Sequence, residues 1–167
     1  KDILFGPSGG CAAFAINCLK SIHQKTNEYF DPTYFCYAED VDLAWRSLLL
    51  GFKPKYIDNA ICFHKGGATS GGNFNKFIMY HTLRNQLFNL IKNMPTGLFF
   101  RYSLQIIGFQ IALFVRYLFS SKIGTLLRVY KDFFKYLPSL LRKRKIIQKT
   151  HQISTKELQK YFTKRFY

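Results

Sequence analysis

The charge in this chain is unevenly placed, and that placement limits what it can fold into. Residues 101–167 carry fifteen Lys or Arg and only two acidic residues, Asp132 and Glu157, whereas residues 1–100 carry ten and seven. The whole 167-residue chain has a formal net charge of +16 at pH 7. The first stretch reads as a globular portion with a local acidic patch, and the second as a basic, aromatic-rich tail. Pro95-Thr96-Gly97 is the natural boundary between residues 1–95 and 96–167, because Pro and Gly interrupt regular structure. An excess of positive charge this large calls for an anionic partner: nucleic acid, acidic lipid or a phosphorylated substrate. With 48% apolar residues the chain is no disordered polyelectrolyte, and its length suffices for one compact domain with an appendage.

The four cysteines, Cys11, Cys18, Cys36 and Cys62, show no C-x-x-C spacing. A zinc knuckle is not expected from them, and free thiols are. The opening on Lys1 rather than Met leads us to expect a truncated N-terminus.

Periodicity gives a coarse map. Residues 3–5 read as a short strand, broken by Gly6-Pro7-Ser8-Gly9-Gly10. Residues 11–22 fit a strand or a helix, and 25–35 a loop. Val41, Ala44, Trp45, Leu48 and Leu49 recur at helical spacing, which predicts a helix from Asp40 to Leu50 closed by Gly51. Residues 55–57 and 60–64 read as strands around an Asp58-Asn59 turn, followed by a Gly-rich loop over 65–72. Helices are expected at 77–92, 98–119 and 123–137, the last ended or kinked by Pro138. Ser154 and Glu157 form a capping box that opens a final helix over 155–162.

The tail points to a membrane. Residues 98–119 are apolar except for a narrow stripe of Arg101, Gln105, Gly108, Ala112 and Arg116. The segment between the two arginines would rise only ~21 Å against ~30 Å of bilayer hydrocarbon, so a clean span is not expected. Two amphipathic segments with Lys and Arg on their polar sides read instead as a monotopic anchor on an anionic membrane surface, with Arg142–Lys145 among the headgroups. The competing reading packs these apolar faces against residues 1–95 or a second copy of the chain. Nucleic acid is not the expected partner, since no RNP, KH or zinc-finger pattern occurs.

The densest chemical signal is Glu39-Asp40-Val41-Asp42-Leu43-Ala44-Trp45-Arg46. Three carboxylates within four positions repel one another unless a cation or a helix N-terminus compensates. Read plainly, this is an N-capped helix with an i, i+4 ion pair between Asp42 and Arg46. His64, at the entrance of the Gly-rich loop, and Arg84, on its helix, are each a weak signal alone.

Taken in order, these residues resemble a known family. Gly9-Gly10 enters an apolar element, and Phe30-Asp31 precedes Glu39-Asp40-Val41-Asp42-Leu43 with Arg46. Then come Gly51-Phe52, His64 with Gly66, Gly67 and Ser70, and Arg84-Asn85 leading to Lys92-Asn93. The series is similar to the C-terminal half of an inverting GT-A glycosyltransferase of family 2, in the group that includes rhamnosyltransferases of bacterial cell-surface polysaccharide synthesis. The resemblance implies an α/β, Rossmann-like catalytic portion over 1–95, followed by amphipathic helices. It implies transfer of a sugar, L-rhamnose being the one it favours, from a nucleotide-diphosphate sugar to a glycan or lipid-linked glycan. Asp40 of the Glu39-Asp40 pair would be the general base, with Asp42 and Arg46 orienting it. His64 would help hold a divalent cation, Mg²⁺ or Mn²⁺, on the leaving diphosphate. Ser8, Gly9, Gly10, Trp45, Gly66, Gly67 and Arg84 fall at positions that imply substrate contact. The same resemblance implies work at the cytoplasmic face of a bacterial plasma membrane. The family's nucleotide-binding half, with its Asp-x-Asp motif, has no counterpart in this chain, so the chain by itself is expected to be inactive. The alternative from another class is a non-enzymatic, basic, membrane-associated adaptor.

Overall fold

The computed structural model describes residues 4–64 and 75–162. Its regular elements are α1 (Ile16–Thr26), α2 (Glu39–Leu49), α3 (Lys76–Asn93), α4 (Thr96–Arg101), α5 (Ser103–Tyr117), α6 (Ile123–Thr150) and α7 (Thr155–Leu158), followed by a 3₁₀ turn over Gln159–Tyr161. Among the described residues there is no strand and no sheet, so the expected α/β, Rossmann-like fold is overturned. The reason lies in what a strand requires. Alternating side chains over three to five residues specify a strand only when a neighbour supplies its ladder of hydrogen bonds. Residues 55–57 and 60–64 run without regular structure and form no strand ladder among the described residues, and Phe63 is 97% exposed. The described part of the 3–5 segment lies along α2 instead, with the Phe5 ring edge-on to Trp45 at 5.0 Å.

The helices follow their sequence signals more closely. α2 ends at Leu49, and beyond the capping Leu50 the Gly51 N–H donates to the Leu48 carbonyl at 2.9 Å and the Phe52 N–H to the Ser47 carbonyl at 3.0 Å. This pair of bonds satisfies carbonyls that the helix end leaves over. The 98–119 helix is divided in two at Tyr102. Pro138 neither ends nor interrupts α6, which runs on to Thr150. Anchoring beyond the proline explains this: Leu140 and Ile147 are buried, and Arg144 donates to the carbonyls of Ile91 and Met94 at 2.7 Å each. Ser154 caps α7 by accepting the Glu157 N–H.

α3 and α6 lie along one another and form the axis of the molecule. Residues 96–162 pack against the first part of the chain through α4, α6 and α7. Met94, Leu98, Ile147 and Leu158 share one apolar cluster with Trp45, Leu48 and Leu49 of α2. Tyr34, Phe88 and Leu140 form another where the 31–38 loop meets α3 and α6.

Between these clusters lies a buried group of charges. The Lys92 ammonium is fully buried, 2.7 Å from Asp31 Oδ2 and 2.6 Å from Asp42 Oδ1. Arg46 holds the other Asp42 oxygen at 2.8 Å, and Lys143 of α6 bridges Asp31 at 2.7 Å and Glu28 at 3.0 Å. Three cations thus meet three carboxylates. Burial by itself would raise the pKa of Asp31, but the Lys92 charge and hydrogen bonds from Lys143, Lys92 and Thr33 outweigh it and hold the carboxyl well below the usual range. Burial likewise pushes Asp42 up, while Lys92, Arg46 and Asn93 bring it below its ordinary value.

Two consequences can be measured. A carboxyl whose pKa is lowered by folding contributes stability that is complete above its unfolded pKa of about 4 and is lost as pH falls through its folded value. The urea midpoint should accordingly drop as pH is taken from about 5 toward 2, and a flat profile there would show that Asp31 and Asp42 titrate normally. Lys92→Met leaves two buried carboxylates facing each other, and a loss of about 3–5 kcal/mol is expected in urea unfolding at neutral pH.

Candidate functional site

α2 starts from strained backbone. Phe35, Tyr37 and Ala38 have φ of 63°, 63° and 62°, a left-handed conformation that costs a residue bearing a Cβ roughly 1–2 kcal/mol. Such geometry persists only where the surroundings over-determine it. Here α3 supplies the determination. Arg84 Nη2 donates to the carbonyls of Thr33 and Tyr34, both at 3.0 Å. Asn85 Nδ2 shares its two N–H groups among the carbonyls of Tyr34, Cys36 and Tyr37 at 3.0, 2.8 and 2.6 Å. Asn89 Nδ2 donates to the Ala38 carbonyl at 3.0 Å. Three polar side chains of one helix thereby fix the loop that delivers Glu39 and Asp40 to the first turn of α2.

Asp40 is half-buried, and its two oxygens are engaged differently. Oδ1 accepts the Val41 N–H at 2.8 Å, and Oδ2 accepts the Gly9 N–H at 2.7 Å. The Ser8–Cys11 turn, closed by the Cys11 N–H to the Ser8 carbonyl at 3.1 Å, therefore lies directly on this carboxylate. His64 reaches the same turn one residue on. A Cβ at Gly10 would lie 3.1 Å from the imidazole, and one at Gly9 would lie 3.2 Å from Asp40 Oδ2. The close approach of both side chains depends on two glycines without Cβ atoms. Cys62 adds a thiol 3.8 Å from the Gly10 carbonyl. A carboxylate and an exposed imidazole from distant parts of the chain thus meet adjacent residues of one exposed turn. A carboxylate placed so can accept a proton from a group brought against the turn.

Other expected site residues lie elsewhere. Asp42 and Arg46 belong to the buried charge group, and Arg46 also donates to the carbonyls of Glu28 and Tyr29. Trp45 is a core side chain, 5.0 Å from Phe5 and 5.5 Å from Phe162 between ring centres. The Arg84 guanidinium is buried and used on the 33–34 backbone, the Tyr80 hydroxyl and Asn85 Oδ1. Its expected contact with a substrate diphosphate is replaced by a loop-holding one. Glu39 keeps Oε2 buried without a hydrogen-bond partner, and its charge, after burial, raises the Cys36 pKa. Ser8 lies on the exposed turn and accepts the Gly10 N–H at 3.4 Å. Gly66, Gly67 and the rest of the Gly-rich loop lie outside the described residues.

Among the described residues no group of three His, Cys, Asp or Glu side chains is arranged to hold a metal ion. His64 offers one ligand and the Asp40 oxygens are engaged with backbone. Mg²⁺ and Mn²⁺ take several oxygen ligands, so these two side chains alone would not complete the shell of such an ion. Asn85, Asn89 and Asn93 form a set that no motif marks. Their i, i+4, i+8 spacing on a helix that also carries Phe88 and Lys92 is the signal for a buried polar stripe. Compared with known proteins, the chain matches no family model, no curated protein and no solved structure. The likeness to family 2 glycosyltransferases rests on the order and spacing of the chain's own residues.

The turn can be tested from below. A Cβ at Gly6 would lie 2.3 Å from that of Ala44. Gly6→Ala should lift the 4–11 segment from α2 and destabilise the protein by about 1–3 kcal/mol. The Gly9 amide, no longer bonded to Asp40, should then exchange with solvent faster; unchanged exchange would mean that the segment is held by other contacts.

Proposed function

We propose that this chain supplies the acceptor-side residues of an inverting glycosyltransferase, with Asp40 as general base. In this reading the acceptor hydroxyl attacks the anomeric carbon of a nucleotide-diphosphate sugar. The C–O bond forms as the bond to the diphosphate breaks, and the hydroxyl proton passes to the Asp40 carboxylate. The observation that carries the reading is the convergence of Asp40 and His64 on Gly9 and Gly10. The buried charges of Asp42 and Arg46 fix the helix under Asp40, and the Arg84-Asn85-Asn89 clamp fixes the loop before it. Both act as positioning groups. A divalent cation, when bound, would neutralise charge on the leaving diphosphate. His64 is the described residue that would help hold it. The acceptor class is a glycan or lipid-linked glycan.

The setting in this reading is an anionic membrane surface, the cytoplasmic face of a bacterial plasma membrane. Supporting it, α5 buries no residue, Leu104 is 81% exposed and Phe119 beyond its end is 98% exposed. Among the described residues no helix is long and apolar enough to cross a membrane, and an exposed apolar helix of 15 residues fits one that lies in the interface. The second reading, a membrane-associated adaptor without catalysis, is favoured by one observation: Asp42, Arg46 and Arg84 are all consumed by internal bonds.

Sugar transfer by the protein as the cell makes it separates the two. Asp40→Asn should lower turnover by about 10²–10⁴-fold while the helical circular dichroism stays unchanged. Wild-type turnover by this variant removes Asp40 from the role of base. His64→Ala should raise the Mg²⁺ or Mn²⁺ concentration needed for half-maximal transfer, and an unchanged titration makes His64 structural.

A further inference from the structure

Along the side of α6 that meets α3 near Tyr80, an open groove of about 710 Å³ is lined by Tyr80, Arg128, Lys131, Asp132, Lys135 and Tyr136. It holds three cations and one carboxylate, Asp132, which lies 3.8 Å from Arg128 Nε and is hydrogen-bonded as well. Asp132 accepts the Tyr80 hydroxyl at 2.5 Å, and the same hydroxyl accepts from Arg84 Nη1 at 3.0 Å. The Arg128 guanidinium lies 4.6 Å from the centre of the Tyr80 ring, so part of the cationic lining is oriented by a ring that is itself fixed from two sides. Lys131 and Lys135 stand one helical turn apart, and no carboxylate among the described residues forms an ion pair with either. Like charges at this spacing repel by a few tenths of a kcal/mol, a cost that an anion between them reverses.

What borders the groove narrows the anion. Leu127, Phe134 and Leu141 follow one another at seven-residue spacing along α6 and are half or more exposed. On a helix this row lies beside that of Arg128, Lys131, Lys135 and Arg142. α5 meets α6 next to it, through the Tyr130 hydroxyl on Gln110 Oε1 at 3.1 Å. The cations therefore stand beside the exposed Leu127–Phe134–Leu141 row, and α5, which meets α6 at Tyr130, adds further exposed apolar residues. A polynucleotide would leave that apolar surface in water. A phosphate carried on a hydrocarbon chain satisfies both parts at once.

We propose that this groove is a binding site for a lipid-borne phosphate group, with Arg128, Lys131 and Lys135 on the phosphate oxygens and the chain of the lipid along α5. The site rests on the membrane placement given above and is independent of sugar transfer. The test uses the full chain with vesicles of phosphatidylcholine alone or with added phosphatidylglycerol, together with inorganic phosphate in solution. Lys131→Gln/Lys135→Gln should weaken binding to the anionic vesicles about thirtyfold, and binding to neutral vesicles much less. The charge-matched control Lys20→Gln/Lys25→Gln, on the exposed side of α1, should change anionic binding less than about threefold. Equal losses in the two double variants overturn the site and leave only a diffuse field. Failure of the wild-type chain to bind either vesicle overturns both the membrane placement and the lipid-borne ligand. In that event, saturable shifts of the 128–136 amide resonances with inorganic phosphate alone would assign the groove to a soluble phosphate. Vesicle binding that survives Leu104→Ser/Ile107→Ser but not the lysine changes would keep the groove and overturn the part given to α5.

Discussion

The structure is organised around one ammonium group. Lys92 Nζ lies between Asp31 and Asp42 with no access to water, and every neighbouring element contributes to keeping it there. α2 brings Asp42 and Arg46, the 26–31 segment brings Asp31 and the Glu28 and Tyr29 carbonyls, and α6 brings Lys143. A cluster of this kind is poor evidence for stability, because desolvating six charges costs about as much as their attraction returns. Its consequence is register. Sliding α3 by one turn against α2 would separate Lys92 from both carboxylates and leave charges buried without partners. Apolar contacts such as Phe88 with Tyr34 or Leu98 with Trp45 tolerate small slips; the ion group does not.

That fixed register has a direct use at the other end of α3. The residues that hold the strained 33–38 backbone, Arg84, Asn85 and Asn89, lie one and two turns before Lys92 on the same helix. Once Lys92 is set, their amide and guanidinium groups are set against the carbonyls of the loop. The loop in turn sets where α2 begins, and so where Asp40 meets the Gly9 amide. The candidate site is the last link in a chain of polar contacts. Its half-buried carboxylate is placed by groups that are themselves buried.

The sequence showed some of this and hid the rest for identifiable reasons. The α2 helix was legible because Val41, Ala44, Trp45, Leu48 and Leu49 keep helical spacing, and the Ser154–Glu157 cap because its hydrogen bond is local. The alternation at 55–57 and 60–64 is real in the sequence, but a strand is a property of two paired segments, and these two form no ladder. Pro138 misled in the opposite direction: its local cost is overridden by Leu140, Arg144 and Ile147 on the far side. Asp40 and His64 meet Gly9 and Gly10 through contacts between segments far apart in the chain, which the order of residue types suggests and only the fold shows. Arg84 was read as a phosphate ligand because a guanidinium serves an anion or a set of carbonyls equally well. Only the positive φ of three residues fifty positions away decides which, and no pattern in the sequence announces backbone strain.

The distribution of polarity in this chain is partly inverted, and the inversion is coherent. Lys92, Arg46, Arg84 and their carboxylates and amides are inside, while Phe100, Leu104, Ile107, Phe109, Ile111, Val115 and Phe119 are outside. Scattered exposed apolar residues are ordinary, but a run of them along one helix is the mark of a surface that meets something other than water. α5 can remain uncovered because the fold does not need it: of its residues only Ile106 joins the main apolar cluster, and only in part. The register of α2, α3 and α6 is already fixed by charge. A scaffold determined by buried polar contacts leaves its most apolar helix largely uncovered. Beside the exposed Leu127–Phe134–Leu141 row stand Arg128, Lys131, Lys135 and Arg142 of α6, and the lipid-borne phosphate proposed above is a ligand that would use both surfaces.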